Sequence, residues 1–263
     1  MKNFLVIGNP IEHSMSPKLH NHWIKENNIE AKYDKKKVNE SDIEGIINDV
    51  REDKIEGINI TVPFKKSVIP FLDKLTPLAN EAQSVNTIYK ENNKIIGHNT
   101  DIAGFELALK SINYDVKNKK VFILGAGGVV SSIIIALKKM QVSKIILSNR
   151  TKKKAENFKK IYRDIELLDW GQVPEFNMVI NATSLGLKAN DKIKLNYEEI
   201  GINKLFYDVI YNPRETLFLT NAKKYGNQIE NGKMMFIYQA HQAFALWNKI
   251  LPNIDNETIK LLD

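Results

Sequence analysis

The sequence contains no cysteine among its 263 residues. This absence excludes disulfide bonds, a thiolate nucleophile and cysteine-ligated zinc. No apolar run approaches the ~20 residues that a membrane-spanning helix requires, and the apolar segment FLVIG at residues 4–8 is too short for the core of a signal peptide. We therefore expect a cytoplasmic protein with no membrane partner and no metal ion.

The charge of the chain is the next property that limits its function. Lysine and arginine (38) outnumber aspartate and glutamate (31), which gives a formal net charge of +7. The basic residues occur in short, dispersed groups, such as residues 35–37, 152–154 and 223–224. A nucleic-acid partner is therefore not expected, although the positive field would attract small anions. With 43% hydrophobic residues, the chain can form one large domain or two modest ones.

Strand-like and helix-like segments alternate along the chain, which predicts an α/β fold. Ser16 and Pro17 indicate a helix start, with Ser16 as its N-cap. The segment SVNTIYKENNKIIGHNTD predicts a β-hairpin that turns at residues 91–93. The other early elements expected are strands at residues 4–7, near Tyr33 and at 57–62, and helices at about 17–27 and 42–50. After a polar break at residues 113–120, βα units repeat, so we predict two α/β domains.

A glycine cluster follows a short buried-type strand, VFIL, and opens an apolar helix. The cluster consists of Gly125, Ala126, Gly127 and Gly128, and Val130 stands where the dinucleotide-binding fingerprint has its third glycine. Glycines let the backbone turn tightly and approach a pyrophosphate, while the helix N-terminus supplies free N–H groups. An ordinary strand-to-helix turn would also contain glycines. The order of strand, glycines, helix and second strand favours a Rossmann-type, doubly wound nucleotide-binding domain.

The end of the second strand of this domain distinguishes between two cofactors. A site for NAD places a carboxylate there, which holds the ribose 2′-hydroxyl. This chain has Asn149, Arg150 and Thr151 followed by three lysines, and no carboxylate before Glu156. A solvated basic turn would explain the lysines. The guanidinium and hydroxyl groups suit a 2′-phosphate, so we predict NADP as the cofactor.

Lys65 and Asp101 are candidates for proton transfer. Lys65 follows the buried-type strand in GINITVPFKK, and alone it would pass for a surface lysine. Asp101 ends the segment GHNTD, where a helix cap is the simplest explanation. An ammonium and a carboxylate near one alcohol can move a proton while a hydride passes to a nicotinamide. The spacing along the chain leaves open whether the two side chains meet.

Nine sequence blocks occur in the order found in shikimate dehydrogenases, and the chain resembles this family over residues 8–239. The blocks are GNPIEHSMSP, GINITVPFKK, SVNT, NTD, GAGG, SNRT, NATSLG, YDVIYNP and NGKMMFIYQA. The resemblance implies reversible NADP-linked reduction of 3-dehydroshikimate to shikimate, on the route to aromatic amino acids. It also implies a substrate domain (residues 1–101 and 232–263), an NADP-binding domain (residues 102–231) and a cleft between them.

The resemblance further implies roles for particular residues. Lys65 and Asp101 match the acid–base pair of the family, with the identity of the proton donor left open. Substrate binding is implied for Ser14 and Ser16 at the carboxylate, for Thr61, Asn86 and Gln239 at the ring hydroxyls, and for Tyr211, which approaches from the nucleotide domain. Cofactor binding is implied for Gly125, Ala126, Gly127, Gly128, Asn149, Arg150, Thr151, Lys154, Thr183, Ser184 and Gly232. Gly232 equally suits the turn that opens the long C-terminal helix.

Some positions depart from the family pattern, and two other functions stay open. The departures are Glu12, His98, Ile102 and Leu187, and none of them removes a residue assigned to chemistry. One alternative is a quinate or dual quinate/shikimate dehydrogenase that uses NAD; Ser16 and the basic turn after IILSN speak against it. Another is a non-catalytic ligand sensor, which the presence of both Lys65 and Asp101 disfavours. A monomer or a homodimer would be compatible with the sequence.

Overall fold

The chain folds into two α/β units, and the computed structural model describes residues 1–263. The first unit comprises residues 1–105 and 237–263, and the second comprises residues 106–236. The predicted α/β class, with an N-terminal unit and a Rossmann-type unit, is confirmed. The assignment of substrate to one unit and cofactor to the other stays a prediction at this point.

The first unit is built around a mixed six-stranded sheet in the order β2-β1-β3-β5-β6-β4. Its strands are β1 (Lys2–Gly8), β2 (Ala31–Lys37), β3 (Gly57–Ile60), β4 (Lys74–Leu75), β5 (Thr87–Glu91) and β6 (Lys94–His98). Its helices are α1 (Ser16–Glu26), α2 (Ile43–Arg51) and α3 (Pro77–Ala82), with 3-10 turns at Glu40–Asp42 and Ile69–Phe71. The strand β1 is parallel to β2 and β3, so their carboxyl ends lie at the same edge of the sheet.

Sequence patterning explains the core of this unit. The helix α2 (IEGIINDVR) buries Ile43, Ile46, Ile47 and Val50 on one face, at helical spacing. These residues pack with the fully buried strand β3 and with the hairpin residues Ile88 and Ile95. The predicted hairpin is confirmed as β5 and β6. Asn92 and Asn93 both have positive φ (50° and 58°), which is the conformation that a tight two-residue turn requires.

The predicted N-cap of α1 is wrong by one residue. Ser16 is the first residue of the helix, and Met15 occupies the N-cap position without a side-chain cap. The Ser16 backbone N–H instead donates to Ser14 Oγ at 3.4 Å. Because Ser14 accepts this N–H, the Ser16 hydroxyl is not needed for capping.

The second unit contains a six-stranded sheet in which every strand is parallel to its neighbours. Its strands are β7 (Lys120–Leu124), β8 (Lys144–Ser148), β9 (Glu166–Leu168), β10 (Met178–Asn181), β11 (Leu205–Asp208) and β12 (Gln228–Glu230). The spatial order is β12-β11-β10-β7-β8-β9, which is the doubly wound order of dinucleotide-binding folds. The strand order reverses between β7 and β10, and ligands bind at such a reversal.

Helices connect the strands of the second unit and complete the chain. The helices in chain order are α4 (Asp101–Ser111), α5 (Val130–Lys139), α6 (Lys152–Ile161), α7 (Tyr197–Ile200), α8 (Leu217–Lys224), α9 (Lys233–Asn248) and α10 (Asn256–Lys260). The chain passes from one unit to the other within α4 and again within α9. No helix combines the length and the apolar character needed to cross a bilayer.

Candidate active site

The structure brings Lys65 and Asp101 together in the first unit. Lys65 lies in the loop that follows β3, and Asp101 begins α4. The Lys65 Nζ and Asp101 Oδ2 atoms are 2.5 Å apart, and only 14% and 7% of the two side chains are exposed. The N-terminal turn of a helix favours a negative charge, so the position of Asp101 suits a carboxylate. A largely buried ammonium–carboxylate pair is an arrangement that can hold and move a proton.

Asn86 holds the second oxygen of Asp101. The Asn86 Nδ2 donates to Asp101 Oδ1 at 2.8 Å and to Thr100 Oγ1 at 2.9 Å. The same amide nitrogen is 3.4 Å from Gln239 Oε1, on α9. Lys65 is anchored beside Asn86, because the Val85 N–H donates to the Lys65 carbonyl at 2.7 Å. Four of the predicted residues therefore form one polar cluster within the first unit.

The predicted carboxylate-binding serines lie in the turn after β1, next to the loop after β3. The Thr61 N–H donates to the Ile7 carbonyl at 3.0 Å, which ties these two strand ends together. A Cβ at Gly8 would lie 2.5 Å from Thr61 Cγ2, so glycine is required for this close approach. Ser16 is buried and Ser14 is partly exposed. The hydroxyls of this edge are suited to hydrogen-bond an anionic, hydroxylated ligand.

Glu12 and His98, two of the departures from the family pattern, each have a polar partner in the structure. Glu12 has a half-exposed side chain that pairs with Lys37 at 3.4 Å. Its carboxylate also accepts from the Ile11 N–H, and this backbone hydrogen bonding lowers the Glu12 pKa. His98 Nδ1 is 2.9 Å from Thr76 Oγ1, and burial lowers the pKa of His98.

A cavity of about 270 Å³ lies at the strand-order reversal of the second unit. Its lining comprises Gly125, Ala126, Gly127, Asn149, Arg150, Thr151, Lys154, Trp170, Ala182, Thr183, Ser184 and Leu185. Gly125 has a φ of +112°, and a Cβ there would lie 2.7 Å from the Ala182 carbonyl oxygen. Only glycine allows the two strand ends to approach so closely at this backbone conformation. The predicted glycine-rich turn thus borders a cavity of the kind that a dinucleotide occupies.

The charge around this cavity fits a phosphorylated nucleotide. Arg150 and Lys154 line it and no acidic side chain does, and the carboxylate of Asp169 pairs with Lys152. The Asn149 Nδ2 donates to the Thr151 carbonyl at 2.8 Å, which holds the basic turn in shape. The two cations, the hydroxyl side chains and the small residues of this lining match the chemistry of NADP, including its 2′-phosphate.

The loop after β10 is shaped by a buried network at its base. Asn181 Nδ2 donates to Asp208 Oδ1 at 3.0 Å and to the Leu185 carbonyl at 2.9 Å, while Asn181 Oδ1 accepts from the Thr183 hydroxyl at 2.7 Å. Asp208 also accepts from Thr216 Oγ1 at 2.6 Å. Burial raises the pKa of Asp208 to about 6, against the opposing effect of these hydrogen bonds. The Thr183 hydroxyl is therefore used inside the protein, where it builds the cavity wall.

Three predicted residues lie outside the described lining of the cavity. Gly128 is exposed in the turn before α5. Gly232 packs against the backbone after β11, and a Cβ there would lie 2.1 Å from the Val209 carbonyl oxygen, which by itself requires glycine. The Tyr211 ring stacks on Phe236, with ring centroids 4.7 Å apart. Roles for these three residues toward a ligand stay predictions.

Three lining residues were not predicted from the sequence. Trp170 follows β9, and Ala182 and Leu185 flank the predicted pair Thr183 and Ser184. Their positions in the sequence could have indicated them, because all three follow the carboxyl ends of parallel strands, where ligands bind in such folds. Trp170 and Leu185 carry no polar group that would mark a phosphate site, so residue type alone did not indicate them.

The two units define a protein of the dinucleotide-binding α/β class, with a buried Lys–Asp pair in the unit that lacks the nucleotide cavity. The shikimate dehydrogenase substrate-binding domain family matches residues 6–88, and the shikimate / quinate 5-dehydrogenase family matches residues 106–214. Shikimate dehydrogenase (NADP(+)) of Pelagibacter ubique is 62% identical over 262 residues, which cover 100% of this chain and 99% of that protein. The chain belongs to the shikimate dehydrogenase family.

Solved structures agree with this family membership. Shikimate dehydrogenase from Aquifex aeolicus has a TM-score of 0.90 and 34% identity, with 100% of this chain and 97% of that chain covered. Shikimate 5-dehydrogenase from Thermus thermophilus, solved in complex with NADP(H) and shikimate, also has a TM-score of 0.90, at 29% identity and with 100% and 98% covered. The resemblance inferred from the nine sequence blocks is therefore confirmed.

Proposed function

We propose that this protein is an NADP-dependent shikimate dehydrogenase, which reversibly reduces 3-dehydroshikimate to shikimate in the biosynthesis of aromatic amino acids. The observation that carries the proposal is the 2.5 Å contact of Lys65 Nζ with Asp101 Oδ2 in the substrate unit of a family member. The relatives named NADP(+)-dependent and the basic cavity of the second unit support the choice of cofactor.

The chain's own residues would bind the substrate and move the proton. The bound cofactor supplies hydride chemistry at the substrate carbon. The Lys65–Asp101 pair exchanges a proton with the oxygen on that carbon, and Asn86 keeps the Asp101 carboxylate oriented toward Lys65. Ser14 and Ser16 bind the substrate carboxylate, and Thr61, Asn86 and Gln239 contact its hydroxyl groups. Tyr211 is a further residue assigned to substrate binding.

The cofactor would be bound by the second unit. The glycine-rich turn and the N-terminus of α5 receive the pyrophosphate. Asn149, Arg150, Thr151 and Lys154 hold the adenosine 2′-phosphate, which an NAD ribose lacks. Thr183 and Ser184 line the path of the cofactor, and Gly232 lies near the nicotinamide. A cytoplasmic location and a monomeric or homodimeric state complete the proposal.

A purified sample tests the function directly. Shikimate and quinate are each assayed with NADP⁺ and with NAD⁺, and reduction of the cofactor is followed by its absorbance. We expect the highest kcat/KM for shikimate with NADP⁺. Lys65→Ala should lower kcat by ~10²-fold or more, with little change in shikimate affinity, because proton transfer is lost while the binding groups remain. Lys66→Ala, at the neighbouring exposed lysine, is the matched control and should retain activity.

Each alternative has its own signature in the same experiment. Comparable turnover of quinate with NAD⁺ would favour the quinate dehydrogenase. Shikimate binding without any change in cofactor absorbance would favour the ligand sensor. If activity in the Lys65→Ala protein stays within about threefold of the parent, the role of Lys65 in proton transfer is wrong.

A further inference from the structure

A single buried phenol stands out on the strand β2. Tyr33 is fully buried, whereas the rest of this basic edge strand, AKYDKKK, is largely exposed. The Asn21 side chain fixes its backbone from both sides, donating to the Tyr33 carbonyl at 2.7 Å and accepting from the Tyr33 N–H at 3.0 Å. The ring stacks on His20, with centroids 4.1 Å apart and planes 4° apart. The position of the phenol is therefore tightly constrained.

The Tyr33 hydroxyl connects two parts of the predicted substrate site. It donates to Asn59 Oδ1 at 2.7 Å. Burial raises the Tyr33 pKa well above its ordinary value, against a smaller lowering effect of the nearby Ser16 side chain. The phenol consequently keeps its proton and remains a donor.

The direction of this hydrogen bond is set from the other end of the Asn59 amide. Asn59 Nδ2 donates to the Asn86 backbone carbonyl at 3.0 Å and to Thr87 Oγ1 at 3.1 Å. Because a carbonyl can only accept, the amide nitrogen must face Asn86, and the amide oxygen must face Tyr33. Asn59 and Thr87 are directly opposite each other on the antiparallel strands β3 and β5, which keeps this geometry rigid.

The network ends at the catalytic pair. Thr87 accepts from Asn59, so its own proton is free to be donated to Asn86 Oδ1 at 3.0 Å. Asn86 Oδ1 also accepts from the Thr100 N–H at 2.8 Å, which leaves Asn86 Nδ2 pointing at Asp101 Oδ1. Every member from Tyr33 to Asp101 has an exposed fraction of 6% or less. In a buried chain of this kind, each group limits the orientation of the next.

We propose that Tyr33 is a positioning residue for the reaction, and this inference rests on the proposed function. Its hydroxyl orients Asn59, and through Thr87 it helps to hold the Asn86 amide against the Asp101 carboxylate. At its other side it lies beside Ser16 of the substrate site. Tyr33 needs no contact with substrate or cofactor for this role.

Tyr33→Phe tests the role, because it removes the hydroxyl and keeps the ring that stacks on His20. The Asn59 oxygen then lacks its donor, and we expect kcat/KM for shikimate to fall about tenfold. Shikimate affinity, measured by calorimetry without cofactor, should weaken, while KM for NADP⁺ should stay within about twofold because the nucleotide cavity is in the other unit. Tyr89→Phe removes a phenol hydroxyl outside this network in the same sheet, and it is the matched control.

A second variant interrupts the network without touching Tyr33. Thr87→Val is close to isosteric, and it should lower kcat/KM for shikimate while sparing KM for NADP⁺. If Tyr33→Phe does not fold, Thr87→Val alone tests whether the network positions Asp101. The proposal is overturned if either folded variant behaves like Tyr89→Phe, or if it raises both Michaelis constants equally. A parent protein that oxidises no shikimate would instead overturn the proposed function.

Discussion

The Asp101 side chain illustrates how one carboxylate can serve two partners. Its Oδ2 atom faces Lys65 and its Oδ1 atom faces Asn86. Each oxygen thus has a different neighbour, and the plane of the carboxylate is determined by both. The carboxylate therefore holds the Lys65 ammonium in a fixed orientation, which proton transfer to a defined oxygen requires.

Arg150 carries the predicted preference for NADP. Its guanidinium lines the cavity without a carboxylate partner, so it is available for the 2′-phosphate. We expect Arg150→Ala to raise the dissociation constant and KM for NADP⁺ about tenfold, because a charge-assisted hydrogen bond is lost, and to change those for NAD⁺ less than about twofold. Fluorescence titration and steady-state kinetics measure the two quantities.

Lys153→Ala is the control for Arg150→Ala. Lys153 is exposed in the first turn of α6, three residues after Arg150, and does not line the cavity. Lys153→Ala removes one positive charge from the second unit, as Arg150→Ala does, but it removes no predicted contact with the cofactor. Equal effects of Arg150→Ala on the two cofactors would contradict the assignment of the 2′-phosphate.

The roles of some residues could be predicted from the sequence, whereas those of others could not, for physical reasons. The functional groups of Arg150 and Lys65 suggest their chemistry directly. The meeting of Lys65 with Asp101 did not follow from spacing, because 36 positions of chain separate them and only the fold brings them together. Tyr33 was missed because it stands in a strand whose other residues are basic and exposed, and nothing in that pattern marks a buried hydroxyl.

Among helices and strands, the elements with clear local signals were predicted well. The Asn-Asn turn between β5 and β6 and the glycine turn between β7 and α5 both depend on backbone conformations that few residues adopt. The start of α1 was wrong by one residue, because Ser14 and Ser16 are both suitable capping residues. In the structure neither serine is the N-cap: Met15, whose backbone is already helical, occupies that position, and the Ser14 hydroxyl accepts the Ser16 N–H.

Asp208 links the strands β10 and β11 beneath the cofactor cavity, and its burial predicts a pH-dependent stability. Its pKa is raised from 3.8 to about 6 in the folded protein. Folding therefore favours the protonated form; this stability is fully present below about pH 4 and is lost as pH rises through 6. The total loss is about 3 kcal/mol.

The variant Asp208→Asn removes this titration and keeps a similar shape. The free energy of unfolding of the variant minus that of the parent, measured by urea unfolding of the full chain, should rise by about 2 kcal/mol between pH 4 and pH 7. Thr216→Val should show the opposite trend, since it removes a donor that favours the ionised carboxylate. A difference that is constant with pH would show that Asp208 does not titrate in this range.

At the scale of the whole chain, each unit has a hydrophobic core cluster of its own, around Ile47 and Ile58 in the first and around Phe122 and Phe206 in the second. The first unit is discontinuous, since residues 237–263 return to it after the second unit is complete. Composition alone left one or two domains open, and the repeated βα pattern favoured two. The participation of the C-terminal helices in the first unit came from the family resemblance, because no local pattern in α9 indicates which sheet it packs on.

Binding of each ligand to its own unit can be tested without any catalysis. A ligand slows hydrogen exchange most where it removes local opening, so exchange measured by mass spectrometry maps its site. NADP⁺ alone should protect peptides that cover residues 124–130, 148–154 and 182–185. Shikimate alone should protect those that cover residues 59–65 and 84–101. Protection of the second set by NADP⁺ alone, with no change in the first, would contradict the assignment of the two ligands to the two units.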